Sequence, residues 1–362
     1  MKVQITKPHK LIRRIQLSLN ESNSKKLDYL NSIMIEFIQI SNIFVDELWQ
    51  RKSCDKFSKI KTKTWLSASF QQLAIKRAAD VNKLILNNKI VKKIKPVIKN
   101  KTIDLDSRFL TFKENLNSFD FWIHISRIGQ KIILNLPTRK HKHFLKFQKS
   151  GWTMRKGGRL RKTKNDKWFL DVYFEKDESM KKTKGKDLGL DTGYKKLITD
   201  SNGKTYDVGL EKICEKISRK KQGSKAFKRA LTERNQAINR SVNQIRLRRI
   251  KKIVVENLKN IKRKSKGRIC KQFNNKLQRW SYPRVLAKLQ MVCEENRIEF
   301  LKVDPAYTSQ TCSLCGHVDS KSRLGETFKC TRCGMKMDAD VNAAKNILQR
   351  GVYSPSSGGK PL

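Results

Sequence analysis

The stretch from Thr308 to Leu348, TSQTCSLCGHVDSKSRLGETFKCTRCGMKMDADVNAAKNIL, carries two kinds of chemistry side by side. Cys312 and Cys315 form one CxxC pair and Cys330 and Cys333 a second, with the fourteen residues Gly316 to Lys329 between them. Four thiolates at this spacing make a closed tetrahedral Zn²⁺ site, a zinc ribbon, with no open position for substrate. Its role is therefore structural or nucleic-acid-binding. Gly316 and Gly334, one after each pair, suit the tight turns of two knuckles. His317 and Asp319 stand nearby, but a filled shell has no place for them, and His317 reads as an exposed loop residue.

The second pair is followed almost at once by DAD, Asp338 to Asp340, and two further acids sit where apolar runs end. These are Asp191 in LGLDTGYKKLI and Glu256 in IVVENL. A carboxylate at the end of a core strand is costly unless it is solvated, paired or bound to a cation. Each has a plain alternative: Asp191 as a turn residue, Glu256 as a surface strand end, Asp340 as a helix N-cap. Together they suggest one site. Hard cations such as Mg²⁺ take carboxylate oxygens and keep waters that a substrate phosphate can replace. Two such ions, ~3.5–4 Å apart, serve the attacking and leaving oxygens of in-line phosphodiester cleavage.

Composition supplies the substrate class. Among 362 residues, Lys and Arg number 82 against 32 acids, a formal charge of +50 and a pI near 10.3. Such a chain repels itself unless it works on a polyanion. No uninterrupted apolar run approaches the ~20 residues of a spanning helix, and MKVQITKPHKLIRRIQLSL alternates like a strand without the apolar segment of a signal peptide. Nucleic acid is the expected partner, not membrane. Cys54, Cys214, Cys270 and Cys293 are scattered single cysteines, as expected of a reducing compartment, hence the cytosol.

The elements that must position these groups follow from periodicity. Residues 2–19 suit one or two strands. A long amphipathic helix follows, with an apolar stripe from Leu27 through Phe37 and Phe44 to Trp49 and capping candidates in Asn20–Ser24. SFQQLAIKRAADVNKLILNN predicts a second helix. From about Lys101 to Asp177 the period returns to two, with hairpin turns near Gly129 and at KTKND. If the early strand pairs with this block, the helices are an insertion into a β domain. After the charged linker 176–187 come a strand, a turn at Ser201-Asn202-Gly203, a second strand, a cationic helical region from about Leu210 to Arg249, the strand IVVEN, a helix from Tyr282 to Asn296, and the strand IEFLKVD. That is the order of an α/β domain. GVYSPSSGGKPL has the composition of a disordered end.

The ordered set GLDTGYKKLIT, IVVENL and VDPAYTSQTCSLCG…FKCTRCGMKMDADVNAAKNI resembles TnpB, the transposon-encoded RNA-guided nuclease with a RuvC-like domain. Compact type V CRISPR effectors are its near neighbours. The motif-bearing part covers about Lys186 to Leu348; the N-terminal half is similar only in outline.

The resemblance implies an α+β multidomain fold. A β-rich wedge domain, 1–19 and 101–177, carries a helical recognition domain, 20–100. An RNase H-like (RuvC) α/β nuclease domain, 186–350, contains a zinc ribbon at 308–335, and a disordered tail, 351–362, ends the chain. It implies Asp191, Glu256 and Asp340 as the catalytic acids holding Mg²⁺ or Mn²⁺, and Cys312, Cys315, Cys330 and Cys333 as ligands of a structural Zn²⁺. Asp338 has no settled role.

The implied partners are a structured guide RNA and target DNA, double- and single-stranded, held by a monomeric protein through their backbones. The implied location is the prokaryotic cytoplasm, on the nucleoid when bound to DNA. Gln71, Gln72 and Lys76 are candidates for reading a short target-adjacent motif. The alternatives are an effector with guides from a CRISPR array and a non-cleaving guided repressor. All three acids are present, which argues against the repressor.

Overall fold

The computed structural model describes residues 10–56, 59–88, 93–116, 118–258, 275 and 279–353. It divides into two compact units, Met1–Asp177 and Glu178–Leu362.

In the first unit β1 (Lys10–Ser18) leads into α1 (Ser24–Gln50) and α2 (Ala68–Leu86). The side chains of Asn23 and Ser67 cap the two helices, accepting from the amides of Lys26 and Phe70. Leu30, Ile33, Phe37, Ile40, Phe44 and Leu48 recur every three or four residues and are buried on one stripe of α1. The strands β2 (Thr102–Leu105), β3 (Leu110–Leu116), β4 (Phe119–Ile125) and β5 (Leu134–Thr138) follow. After them come a short helix, α3 (Lys142–Lys149), and the hairpin β6 (Thr153–Lys162) and β7 (Trp168–Asp177).

One antiparallel sheet has the order β1-β7-β6-β2 and another β3-β4-β5. Ile15 lies opposite Val172 and Leu17 opposite Leu170, so the inward face of β1 enters the same core as the helices. Phe70 binds the layers, standing edge-on to Phe37 and to Phe109 at 6.4 and 4.8 Å between centroids. The helix α3 interrupts a block that periodicity reads as β; His141 caps it by accepting from the Phe144 amide. Among the described residues no helix is long and apolar enough to cross a membrane.

The second unit holds β8 (Lys186–Asp191), β9 (Ile198–Asp200), β10 (Thr205–Tyr206), α4 (Leu210–Ser218), α5 (Lys225–Asn243), β11 (Ile250–Glu256), α6 (Tyr282–Glu295) and β12 (Glu299–Val303). Beyond these lie β13 (Arg323–Leu324), β14 (Thr327–Lys329), β15 (Lys336–Asp338) and α7 (Ala339–Tyr353). The single helical region expected over 210–249 is therefore two helices. Gly223, at φ +84°, and the capping Ser224 break it, and residues 244–249 are not helical. The helix α7 also runs three residues into the stretch expected to be a disordered tail; 354–362 lie outside the described residues.

The main sheet has the order β10-β9-β8-β11-β12. β8, β11 and β12 are parallel neighbours, and β9 and β10 extend the β8 edge antiparallel. Alternation along the strands decides what each face meets. Leu188, Leu190, Ile253 and Val255 join a core with Ile238 and Val242 of α5 and Val285 and Leu289 of α6. Val254 faces the other way, packing with Ile347 of α7. Gly189 and Gly351 permit that second contact. A Cβ on Gly189 would stand 2.2 Å from the Ala344 carbonyl oxygen, and one on Gly351 2.4 Å from a Val254 methyl.

Candidate active site and cysteine centre

The same alternation places the acids. Asp191 is two residues beyond Gly189, and Glu256 two beyond Val254, so both share the α7 face of the sheet. The strands β8 and β11 pair Val254 with Gly189 and Val255 with Leu190. One residue further on, Glu256 and Asp191 end neighbouring strands side by side. Asp340 lies in the first turn of α7, the helix on that face. All three are half-buried. Desolvation, then the Glu256 and Asp340 charges, push the Asp191 carboxyl up to about 8, against a smaller pull from Arg323. Burial likewise raises Glu256, although a hydrogen bond from Thr308 and the charges of Arg350 and Arg323 oppose it. The three carboxylates stand near enough for two of them to hinder ionisation of the third.

DAD divides its work. The cap of α7 is Asp338, whose Oδ1 accepts from the amides of Asp340 and Val341 at 2.9 and 3.2 Å. Asp340 is thus not the N-cap. Two cations outside the expected set attend it. Arg323 Nη2 lies 3.1 Å from Asp340 Oδ1, and Lys196 Nζ lies 2.6 Å from Asp338 Oδ2 and 3.9 Å from Asp340 Oδ2. Burial alone would raise Asp338, but Lys196 and the two amides outweigh it and hold its carboxyl below the ordinary range.

The four cysteine sulfurs lie within 4.8 Å of one another. The two knuckles repeat one hydrogen-bond pattern. The amides of Gly316 and Gly334 each donate to the first cysteine carbonyl of their pair, both at 3.0 Å. The Cys312 and Cys330 amides accordingly reach His317 O and Met335 O at 2.8 and 2.9 Å. Both glycines are left-handed, at φ +74° and +73°. His317 is half-buried rather than exposed, and its backbone closes the first knuckle. Four convergent thiols on paired knuckles fit Zn²⁺. Of the scattered cysteines, Cys54, Cys214 and Cys293 are free, with the buried Cys214 pushed up to about 11; Cys270 lies outside the described residues.

The cysteine centre joins the acids through α7. The strand β15 passes directly into the helix, and the Ala339 amide donates to Glu326 O at 2.8 Å. Asn342 accepts from the Ser313 amide at 2.9 Å and donates to Thr311 O at 2.8 Å, so the helix grips the first knuckle. In the first unit Gln71, Gln72 and Lys76 line a cleft of about 680 Å³ with Lys56, Lys61 and Arg108. Arg108 donates to Gln72 Oε1 at 3.2 Å.

Residues 282–347 match the family described as Cas12f1-like, TNB domain. The CRISPR-associated endodeoxyribonuclease Cas12f1 of Sulfoacidibacillus thermotolerans is 49% identical over 72 residues, 20% of this chain and 17% of that one. The TnpB-like protein MJ0751 of Methanocaldococcus jannaschii is 26% identical over 195 residues, 51% of this chain and 66% of the relative. The chain is thus similar, over parts of its length, both to TnpB-like proteins and to compact CRISPR-associated nucleases. It spans less than two thirds of either relative's length. The likeness in fold is more extensive. The cryo-EM structure of a Cas12f1–sgRNA–target DNA complex superposes with a TM-score of 0.57 at 16% identity, over 93% of this chain and 98% of that one. The matched segment contains all four clustered cysteines, Asp338 and Asp340, while Asp191 and Glu256 precede it.

Proposed function

We propose that the chain is an RNA-guided DNA endonuclease. It binds a structured guide RNA and cuts target DNA beside a short target-adjacent motif, by metal-dependent phosphodiester hydrolysis. The observation that carries this reading is the convergence of Asp191, Glu256 and Asp340 on one face, close enough for two of the carboxylates to oppose ionisation of the third. The sheet order, with three parallel strands and an antiparallel extension, supports an RNase H-like (RuvC) domain over 186–350. The cysteine centre is its inserted zinc ribbon, and 1–19 with 101–177 and 20–100 are the wedge and recognition domains.

Asp191, Glu256 and Asp340 would hold Mg²⁺ or Mn²⁺, which when bound supplies Lewis acidity to a phosphate oxygen and to water. The chain's own groups do the rest. The strand ends fix Asp191 and Glu256 at adjacent positions, and Asp338 caps α7 so that Asp340 faces them. Lys196 and Arg323 hold the Asp340 carboxylate in place. The excess of basic residues holds the RNA and DNA backbones.

The test is to express the gene with its native flanking DNA, purify the protein and sequence the RNA it carries. One RNA with a constant scaffold and a short segment matching the element's flank is expected. A smear of unrelated RNA refutes the guided reading. Asp191→Ala should abolish cleavage and keep RNA and target binding. Identity to a CRISPR-associated relative favours a second reading with array-derived guides, and many spacers on a shared repeat would select it.

A further inference from the structure

Thr308 opens the TSQTC stretch, and it neither belongs to the cysteine centre nor supplies a carboxylate. It is nevertheless 2% exposed. Its hydroxyl donates to Glu256 Oε1, a group 52 residues away, with Pro305 O at 3.1 Å as a second acceptor. Its carbonyl accepts from Asn346 Nδ2 of α7 at 2.9 Å. That same amide group donates to Thr311 O at 2.6 Å, one residue before Cys312. Thr308 is therefore held from behind by the helix that carries Asp340 and by the stretch that enters the first knuckle.

Glu256 has complementary constraints. The Tyr282 hydroxyl donates to its carbonyl, and the next amide, Asn257, donates to Val303 O at 2.7 Å. The backbone is fixed, so what remains free is rotation of a long side chain whose entropy favours many rotamers. A buried hydroxyl aimed at one carboxylate oxygen selects among them.

We propose that Thr308 is a positioning residue for Glu256. Its hydroxyl holds one carboxylate oxygen and so presents the group to a divalent cation, while Asn346 ties that orientation to α7 and the cysteine centre. This rests on the reading of Glu256 as a metal-holding acid. Outer partners of this kind typically contribute about 10–100-fold in metal affinity or activity.

The experiment compares Thr308→Val, which keeps the shape and removes the donor, with Thr308→Ser, which keeps the donor and removes the methyl. Mn²⁺ binding is followed by electron paramagnetic resonance on the RNA-free protein, and cleavage by the RNA-loaded protein is followed against Mn²⁺ concentration. Thr308→Val should raise the half-saturating Mn²⁺ about 10–100-fold in both assays, with zinc content and melting temperature unchanged. Thr308→Ser should stay near wild type. Wild-type Mn²⁺ affinity in Thr308→Val overturns the proposal. So does equal damage in both variants, or zinc loss from both, because either makes the methyl's packing the cause. Glu256→Gln separates the two levels: if it cleaves at the normal rate, the acid-site reading fails, whatever Thr308 does.

Discussion

Gly189 and Ala344 touch backbone to backbone: a Cβ on the glycine would overlap the alanine carbonyl oxygen at 2.2 Å and Leu348 Cβ at 2.8 Å. This contact sets how closely α7 lies on β8, and hence how far Asp340 stands from Asp191. The neighbouring atoms are mainly backbone and cannot swing aside.

Gly189→Ala should therefore act on stability and on the site together. Overpacking of this kind costs about 1–3 kcal/mol. We expect a lower melting temperature and a loss of cleavage at least tenfold, with RNA binding kept. A variant with full activity and unchanged melting would show that the helix can rise from the sheet without consequence for Asp340.

The raised Asp191 carboxyl makes a prediction about pH. A group whose pKa rises from an ordinary carboxylate value to about 8 on folding keeps a proton that the unfolded chain has already lost. Its contribution is fully present below the ordinary carboxylate range and is lost as pH climbs through about 8. Without added divalent ions, Asp191→Asn should melt higher than wild type at pH 8, by on the order of 5 °C. The gap should close near pH 4. Adding Mg²⁺ should raise wild type and not the variant. Parallel curves at every pH would mean that Asp191 is not strained by its neighbours.

Cys330→Ser tests the knuckles. The Cys333 amide donates to Cys330 Sγ at 3.4 Å and lowers that thiol, while the neighbouring sulfurs raise Cys333. Replacement should remove bound zinc, lower the melting of the second unit by several degrees, and weaken cleavage through α7. Elemental analysis and calorimetry decide it. Unchanged stability in a zinc-free variant would contradict a structural role.

What could be read in advance was local. The runs IVVEN and LGLD mark strand ends because their apolar residues have no polar alternation, as expected for strands covered on both faces. The helix α1 shows its stripe, and the CxxCG repeats show their turns. The break between α4 and α5 was legible too, since Gly223-Ser224 is a stop followed by a cap, yet the long cationic run obscured it. The helix α3 has only eight residues, too few for a period to stand out.

Lys196, Thr308 and Arg323 were not legible for a different reason. Lys196 meets Asp338 across 142 residues and Thr308 meets Glu256 across 52. No spacing rule reaches so far. Asp338 and Asp340 were ambiguous because either can cap a helix, and only the amide geometry separates them.

The direct passage from β15 into α7 leaves no slack between the cysteine centre and Asp340. An α-helix turns about 100° per residue, so one residue inserted between Met337 and Asp340 would swing that carboxylate a quarter-turn or more around the helix. The same insertion would carry Asn342 and Asn346 off the carbonyls they hold. Length changes should be resisted at the β13–β14 tip as well, because Glu326 O there accepts from the Ala339 amide and the neighbouring Arg323 holds Asp340. At the strand-to-helix joint they should be excluded.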